Sequence, residues 1–203
     1  MLIYICKMDN KLIIGSIKEN IAKRTETDRI MWFSMWFLGA IATFGLAFFP
    51  MFYLLIERRN KHFERQKDLE ELVASYLKDR GEDLKLENSP LAERNSLAWT
   101  LSLVLIFPIF VIAYFLSKDL VLHEEKQRTL FGSLLQEKSF EAPSINIKRC
   151  LFITVVTVGL GIVYWLYKIF NSYNRHFKKQ WAIEDKAVEL LEKEGANRNE
   201  REN

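Results

Sequence analysis

Each histidine of this chain stands four residues ahead of a glutamine, and each pair follows a long stretch without a charged residue. The pairs are His62–Gln66, His123–Gln127 and His176–Gln180, and the chain has no other histidine. A polar pair recurring behind an apolar segment defines a unit used three times, so the fold must shelter three greasy segments at once. The uncharged stretches run Ile30–Ile56, Asn95–Ser117 and Cys150–Tyr167. A helix needs roughly 20 apolar residues to cross about 30 Å of hydrocarbon. The second and third stretches suit one crossing each. The first, at 27 residues, requires a tilt, a kink at Pro50 or a break near Gly45. Core helices of globular proteins are seldom so apolar on every face. The expectation is therefore an all-α integral membrane protein, multi-pass in the cell membrane, with three hydrophobic helices each followed by a polar, amphipathic helix. Trp32, Trp36, Tyr53, Trp99, Tyr114, Tyr164, Trp165 and Tyr167 mostly lie near the ends of the stretches, where amphipathic rings favour the headgroup level. A net charge of +3 provides no basic field for nucleic acid.

Sliding the sequence on itself by 114 positions supports the repeat. Thr43-x-Gly45-Leu46 falls on Thr157-x-Gly159-Leu160, and Tyr53 on Tyr167. Asn60-Lys61-His62-Phe63-x-Arg65-Gln66 falls on Asn174-Arg175-His176-Phe177-x-Lys179-Gln180, and Glu70-Glu71 on Glu184-Asp185. The middle copy is more diverged. Its Phe107-Pro108-Ile109-Phe110 resembles Phe49-Pro50-Met51-Phe52, and its His123-x-Glu125-Lys126-Gln127-Arg128 resembles His62-x-Glu64-Arg65-Gln66-Lys67. In each polar helix the pair opens a seam of 4-3-4-3 spacing, His62, Gln66, Leu69, Val73 and Tyr76 in the first copy, as in a coiled coil.

These signals divide the chain into an N-terminal amphipathic surface segment (1–29) and three units. The first, 30–96, has a membrane segment 30–56 and a coiled-coil-like helix 57–80. The second, 97–149, has a membrane segment 97–116 and an amphipathic helix 120–136. The third, 150–194, has a membrane segment 150–170 and an amphipathic helix 171–194. Ile13, Ile14, Ile17 and Ile21 form an apolar stripe suited to lying on a membrane surface. Gly81 is a plausible helix stop, and the polar tail 195–203 reads as disordered. No cleaved signal peptide is visible, because the apolar run at Met1–Cys6 is short and lacks a basic start. With three single crossings the His/Gln helices are split two against one across the bilayer. A rival arrangement turns each stretch back at its Thr-x-Gly and puts all three on one side. Single crossings are adopted, since the third stretch is short for a hairpin.

Three imidazoles could converge on a metal or relay protons. The alternative, which the spacing favours, is that His62, Gln66, His123, Gln127, His176 and Gln180 fix helix register at an interface. Gln is a poor metal ligand, and single crossings separate the histidines. Gly39, Thr43 and Ala47, echoed by Thr157 and Gly161, form small-residue stripes expected to pack membrane helices. No ionisable residue lies inside the uncharged stretches, which disfavours a proton-coupled pump. No phosphate-binding loop, zinc-protease or nucleophile-elbow motif is present. No catalytic residue, cofactor or metal is assigned, and no enzyme is expected.

The run Thr157-x-Gly159-Leu160-Gly161-x-Val163-Tyr164-Trp165-Leu166-Tyr167-Lys168 resembles an uncharacterised prokaryotic multi-pass membrane family. That domain of unknown function carries T-x-G-I-Y-x-I-Y-W-x-Y before a polar helix, and Gly161 stands where it has Tyr. The resemblance covers about thirty residues and implies a small membrane protein with no catalysis. Three functions compete: a non-enzymatic scaffold or accessory subunit that binds itself or a membrane-protein partner, an insertase-like translocation factor, and a transporter or channel with a histidine-lined site.

Overall fold

A computed structural model describes residues 10–79, 91–135 and 145–202, and every regular element among them is helical. The order is α1 (Asn10–Ala22), α2 (Arg24–Thr27), α3 (Phe33–Ala42), α4 (Phe48–Asp79), α5 (Ser96–Ser102), a short 3₁₀ turn at Leu103–Leu105, α6 (Pro108–Leu135), α7 (Ile147–Val156) and α8 (Ile162–Glu202). Three hairpins follow: α3 turns back into α4, α5 into α6, and α7 into α8. The short arm of each is uncharged and mostly apolar in its outer part, whereas the long arm begins apolar and becomes charged.

The expected single crossings are thus corrected. Each uncharged stretch folds back on itself, and no helix among the described residues is long and apolar enough to cross a membrane. The multi-pass cell-membrane reading and its transmembrane helices fall with that finding. The cause lies in the turns. Thr43 Oγ1 donates to Gly39 O at 2.7 Å and accepts Ala47 N–H at 2.9 Å, so one hydroxyl ties both arms. Thr157 does the same with Ile153 O at 2.7 Å and Gly161 N–H at 2.6 Å. Gly45 and Gly159 take φ of +93° and +94°, which a side chain disfavours. In the middle copy Ile106 adopts φ +61°, and Pro108 opens α6 with its fixed φ. Of the three options for the first stretch the break near Gly45 is the one seen, and Pro50 causes no kink, because it lies in the first turn of α4 where its missing N–H breaks no helical bond.

Gly39, Thr43, Ala47, Thr157 and Gly161 accordingly sit within the hairpins rather than between separate membrane spans. A Cβ on Gly39 would stand 3.7 Å from Ala47 Cβ. A Cβ on Gly161 would lie 2.7 Å from the Thr154 backbone nitrogen, so α7 and α8 approach so closely only because Gly161 has no side chain. Two further corrections concern the ends. Ile13, Ile17 and Ile21 are buried in a protein core with Leu69, Val73, Leu130 and Leu191, so the stripe of α1 faces protein instead of lipid. The segment 195–202 continues α8, its mostly helix-permissive residues extending an established helix despite Gly195. The expected stop at Gly81 and the connection that follows lie outside the described residues.

The long helices α4, α6 and α8 run side by side in one direction, because their histidines meet at one level and their glutamines one turn later. A first apolar core, including Met51, Phe52, Ile112, Leu116, Ile169 and Phe170, joins the hairpin bases. The second core joins α1 to the far halves of the long helices. Between them lies a buried polar belt.

Candidate metal centre

His62 on α4, His123 on α6 and His176 on α8 form a nearly equilateral triangle, with ring centroids 5.2, 5.1 and 5.2 Å apart. All three are buried, and one ring nitrogen of each lies within 4.8 Å of the others. The ring pair His62 Nε2 and His176 Nε2 is 3.1 Å apart. On the outward side, His62 Nδ1 lies 2.8 Å from Asp28 Oδ1, and His176 Nδ1 lies 3.5 Å from Glu124 Oε1. The Asp28 carboxylate at His62 Nδ1 holds the proton there, leaving the His62 Nε2 lone pair directed inward. At 3.1 Å the two Nε2 atoms are close enough either to share one proton in an N–H···N hydrogen bond or to ligate one cation together. His123 Nε2 is also buried with no hydrogen-bond partner among the described residues.

Two ligand nitrogens about 2.05 Å from a tetrahedral zinc-type ion stand about 3.3 Å apart. The His62–His176 spacing is already close to that value. Bringing in the third nitrogen requires a movement of at most about 1.5 Å from the 4.8 Å limit, within the reach of an imidazole rotation. Burial pushes the His62 imidazole down to about 4, against the opposing hydrogen bond and charge of Asp28. Burial drives His123 well below its usual value, and the other two imidazoles add to the shift. Neutral imidazole is the form that binds a metal.

Asp28 holds the outer edge. It accepts from Arg65 Nη2 at 2.9 Å, Trp181 Nε1 at 2.7 Å and Thr27 Oγ1 at 2.8 Å, besides the His62 contact. Burial alone would raise its pKa, but the His62 hydrogen bond and charge, Arg65 and Trp181 together hold it below the usual carboxylate range. The second layer lies one turn along the helices. Gln127 Nε2 and Gln180 Nε2 both donate to Gln66 Oε1, at 2.7 and 3.1 Å, and Gln66 Nε2 donates to Glu184 Oε1 at 2.5 Å. The six His/Gln residues of the repeat pattern therefore share one interface of three helices, with the imidazoles together rather than divided by a bilayer.

Charged and amide residues around the belt link each copy to the next. Asn60 Nδ2 donates to Arg94 O at 2.7 Å and Asn60 Oδ1 accepts Arg94 N–H at 3.2 Å, fixing the entry to the second hairpin. Asn174 makes the same pair with Met31, at 2.7 and 3.1 Å, at the entry to the first. Glu70 pairs with Lys126 at 2.7 Å and Glu184 with Arg65 at 2.9 Å. The equivalent positions of the middle copy are Val121 and Phe131, so the junction from second to third copy lacks both links. Neither Asp28 nor these links was singled out from sequence. The matches of Asn60 on Asn174 and Glu70 on Glu184 were the available signal, whereas Asp28 lies outside the repeat and offered none.

A cavity of about 280 Å³ reaches the centre from one side, lined by His123 with Arg59, Asn60, Glu64, Lys67 and Lys126 among others. Comparison with protein-family models, with curated proteins and with solved structures finds no match, so geometry alone supports a reading of the site.

Proposed function

We propose that this chain is a metal-binding protein that holds a zinc-type divalent ion between His62, His123 and His176. The observation that carries the reading is the triangle of buried imidazoles, in which two Nε2 atoms stand at ligand spacing and His123 Nε2 has no hydrogen-bond partner among the described residues. Three imidazoles with a carboxylate behind one of them match the ligand type and outer-shell support that such ions take. With three protein ligands a tetrahedral ion keeps one position open. The cavity beside His123, whose wall carries Arg59, Lys67 and Lys126 together with Glu64, Glu70 and Glu93, gives the ion and water a route to that position. The ion also ties three hairpins together, so binding and folding are coupled.

The test is metal content. The untagged chain, loaded with zinc and desalted, should carry one equivalent by elemental mass spectrometry. His123→Ala should reduce that to a trace with its helical circular dichroism retained. Wild-type chain that holds no stoichiometric zinc, cobalt or nickel overturns the reading. A second reading, favoured by the glutamine layer and the Asn links, is that the belt serves as the register device of a non-enzymatic scaffold. It predicts unchanged assembly when the histidines are replaced and loss of assembly when Gln66 is.

A further inference from the structure

The far end of the three hairpins carries a second, independent feature. The long helices are in register at their histidines, and they start 14, 15 and 14 residues earlier, at Phe48, Pro108 and Ile162. At 1.5 Å per residue all three turns lie at one level, about 21 Å from the imidazole plane. That level is strongly apolar and unpartnered. Phe44 is 99% and Val158 94% exposed, and Leu46, Leu105, Phe107 and Leu160 are also largely exposed. No charged residue occurs in any tip. The first ones on the long arms are Glu57, Lys118 and Lys168.

We propose that the three tips together form a surface that docks into one leaflet of a phospholipid bilayer bearing anionic headgroups, with no helix crossing it. Four observations select lipid over a second copy or another protein. The short arms α3 and α7 have ten residues each, about 15 Å, which matches half of a hydrocarbon core of about 30 Å. At the base of the tips Tyr53, Tyr114 and Tyr167, each nine residues before its histidine, form a ring of half-exposed phenols, the residue type favoured where hydrocarbon meets headgroups. Farther from the tips, exposed Lys118 lies four residues, about 6 Å, beyond Tyr114, and exposed Arg29 sits beside Arg58, five residues beyond Tyr53. Exposed Lys148 and Arg149 lie in the first turn of α7, and these cations complement anionic lipid. Finally, Thr43 and Thr157 satisfy the backbone groups of their own turns; hydrocarbon demands this, whereas a protein partner could supply such bonds itself.

The experiment is vesicle flotation. The purified chain is mixed with vesicles of phosphatidylcholine and phosphatidylglycerol in equal parts, and separately with phosphatidylcholine alone. Wild type should float with the mixed vesicles and less with the neutral ones. The triple variant Phe44→Asp, Leu105→Asp, Val158→Asp should bind on the order of a hundredfold more weakly, with unchanged helical circular dichroism. These side chains are exposed, and Asp tolerates the positive φ of positions 44 and 158. The milder triple Ser variant repeats the test should the Asp variant lose helicity. Wild type that stays with the aqueous fraction overturns the proposal, as does a triple variant that floats equally well. So does a dimer that the Asp variant disperses while vesicles go unbound. His123→Ala should float like wild type, so failure of the metal reading leaves this result untouched.

Discussion

Replacing Asp28 by Asn tests the centre and the fold together. The substitution keeps shape and one acceptor oxygen but removes the charge against which His62 Nδ1, Arg65 Nη2 and Trp181 Nε1 are set at 2.8, 2.9 and 2.7 Å. Breaking a buried ion pair by removing one partner costs about 3–5 kcal/mol. Arg65 retains Glu184 at 2.9 Å and the amide retains an acceptor, so the lower end applies, about 3 kcal/mol. The amide also no longer holds the His62 proton firmly at Nδ1. Loss of such an outer-shell carboxylate weakens a metal site about 10–100-fold. Urea unfolding followed by circular dichroism, with and without zinc, measures the first effect, and competition against a chromogenic chelator measures the second. Trp181→Phe is the control, since it removes a single donor and should cost about 1 kcal/mol. An unfolding midpoint unmoved by Asp28→Asn would refute the buried network. Zinc affinity held at the wild-type value would refute the tautomer argument.

Two further outcomes are expected. The metal-free chain should lose stability as pH falls from about 6.5 to 4. His62 titrates near 4 when folded and near 6.5 when unfolded, so the unfolded chain takes up the proton first. That single group contributes about 3 kcal/mol across the window; a urea midpoint that stays flat over this range would contradict it. Gly161→Ala should destabilise by about 1–3 kcal/mol, because its Cβ meets Thr154 backbone at 2.7 Å. Gly39→Ala, with ordinary contact at 3.7 Å, should be neutral or stabilising by up to about 1 kcal/mol. Equal melting shifts for the two variants would show that the close approach of α7 to α8 is not the constraint.

The repeat, the helical character and the grouping of histidines with glutamines were legible because they rest on local spacing. The error concerned what a run of 27 uncharged residues does. Length and hydropathy alone fit one crossing, and the break depended on Thr43 binding Gly39 O and Ala47 N–H, a contact that spacing suggests but does not compel. The same misjudgement divided the histidines between two compartments and so lowered the metal reading. Charged residues on the long helices were read only as the polar part of amphipathic helices. Yet Arg58 is buried, donating to Asn174 Oδ1 at 3.0 Å and stacked over Phe170 and Tyr173, and Glu184 is fully buried against Arg65 and Gln66. Their partners are 116 to 119 positions away or on another helix, beyond what a one-dimensional pattern reports. Asp28 is hidden for the same reason, 34 residues from His62 and 153 from Trp181.

The glutamine layer has a consequence at a distance. Sliding one long helix by a single turn, about 5.4 Å, would set Gln66 among the imidazoles and leave Glu184 facing a hydrocarbon side chain. That mismatch is buried and therefore severe. Because the helices are continuous rods, the same slide would raise or sink one hairpin end by the full 5.4 Å against the other two. The belt thus works as a spirit level: polar matching deep in the bundle keeps three remote loops flush.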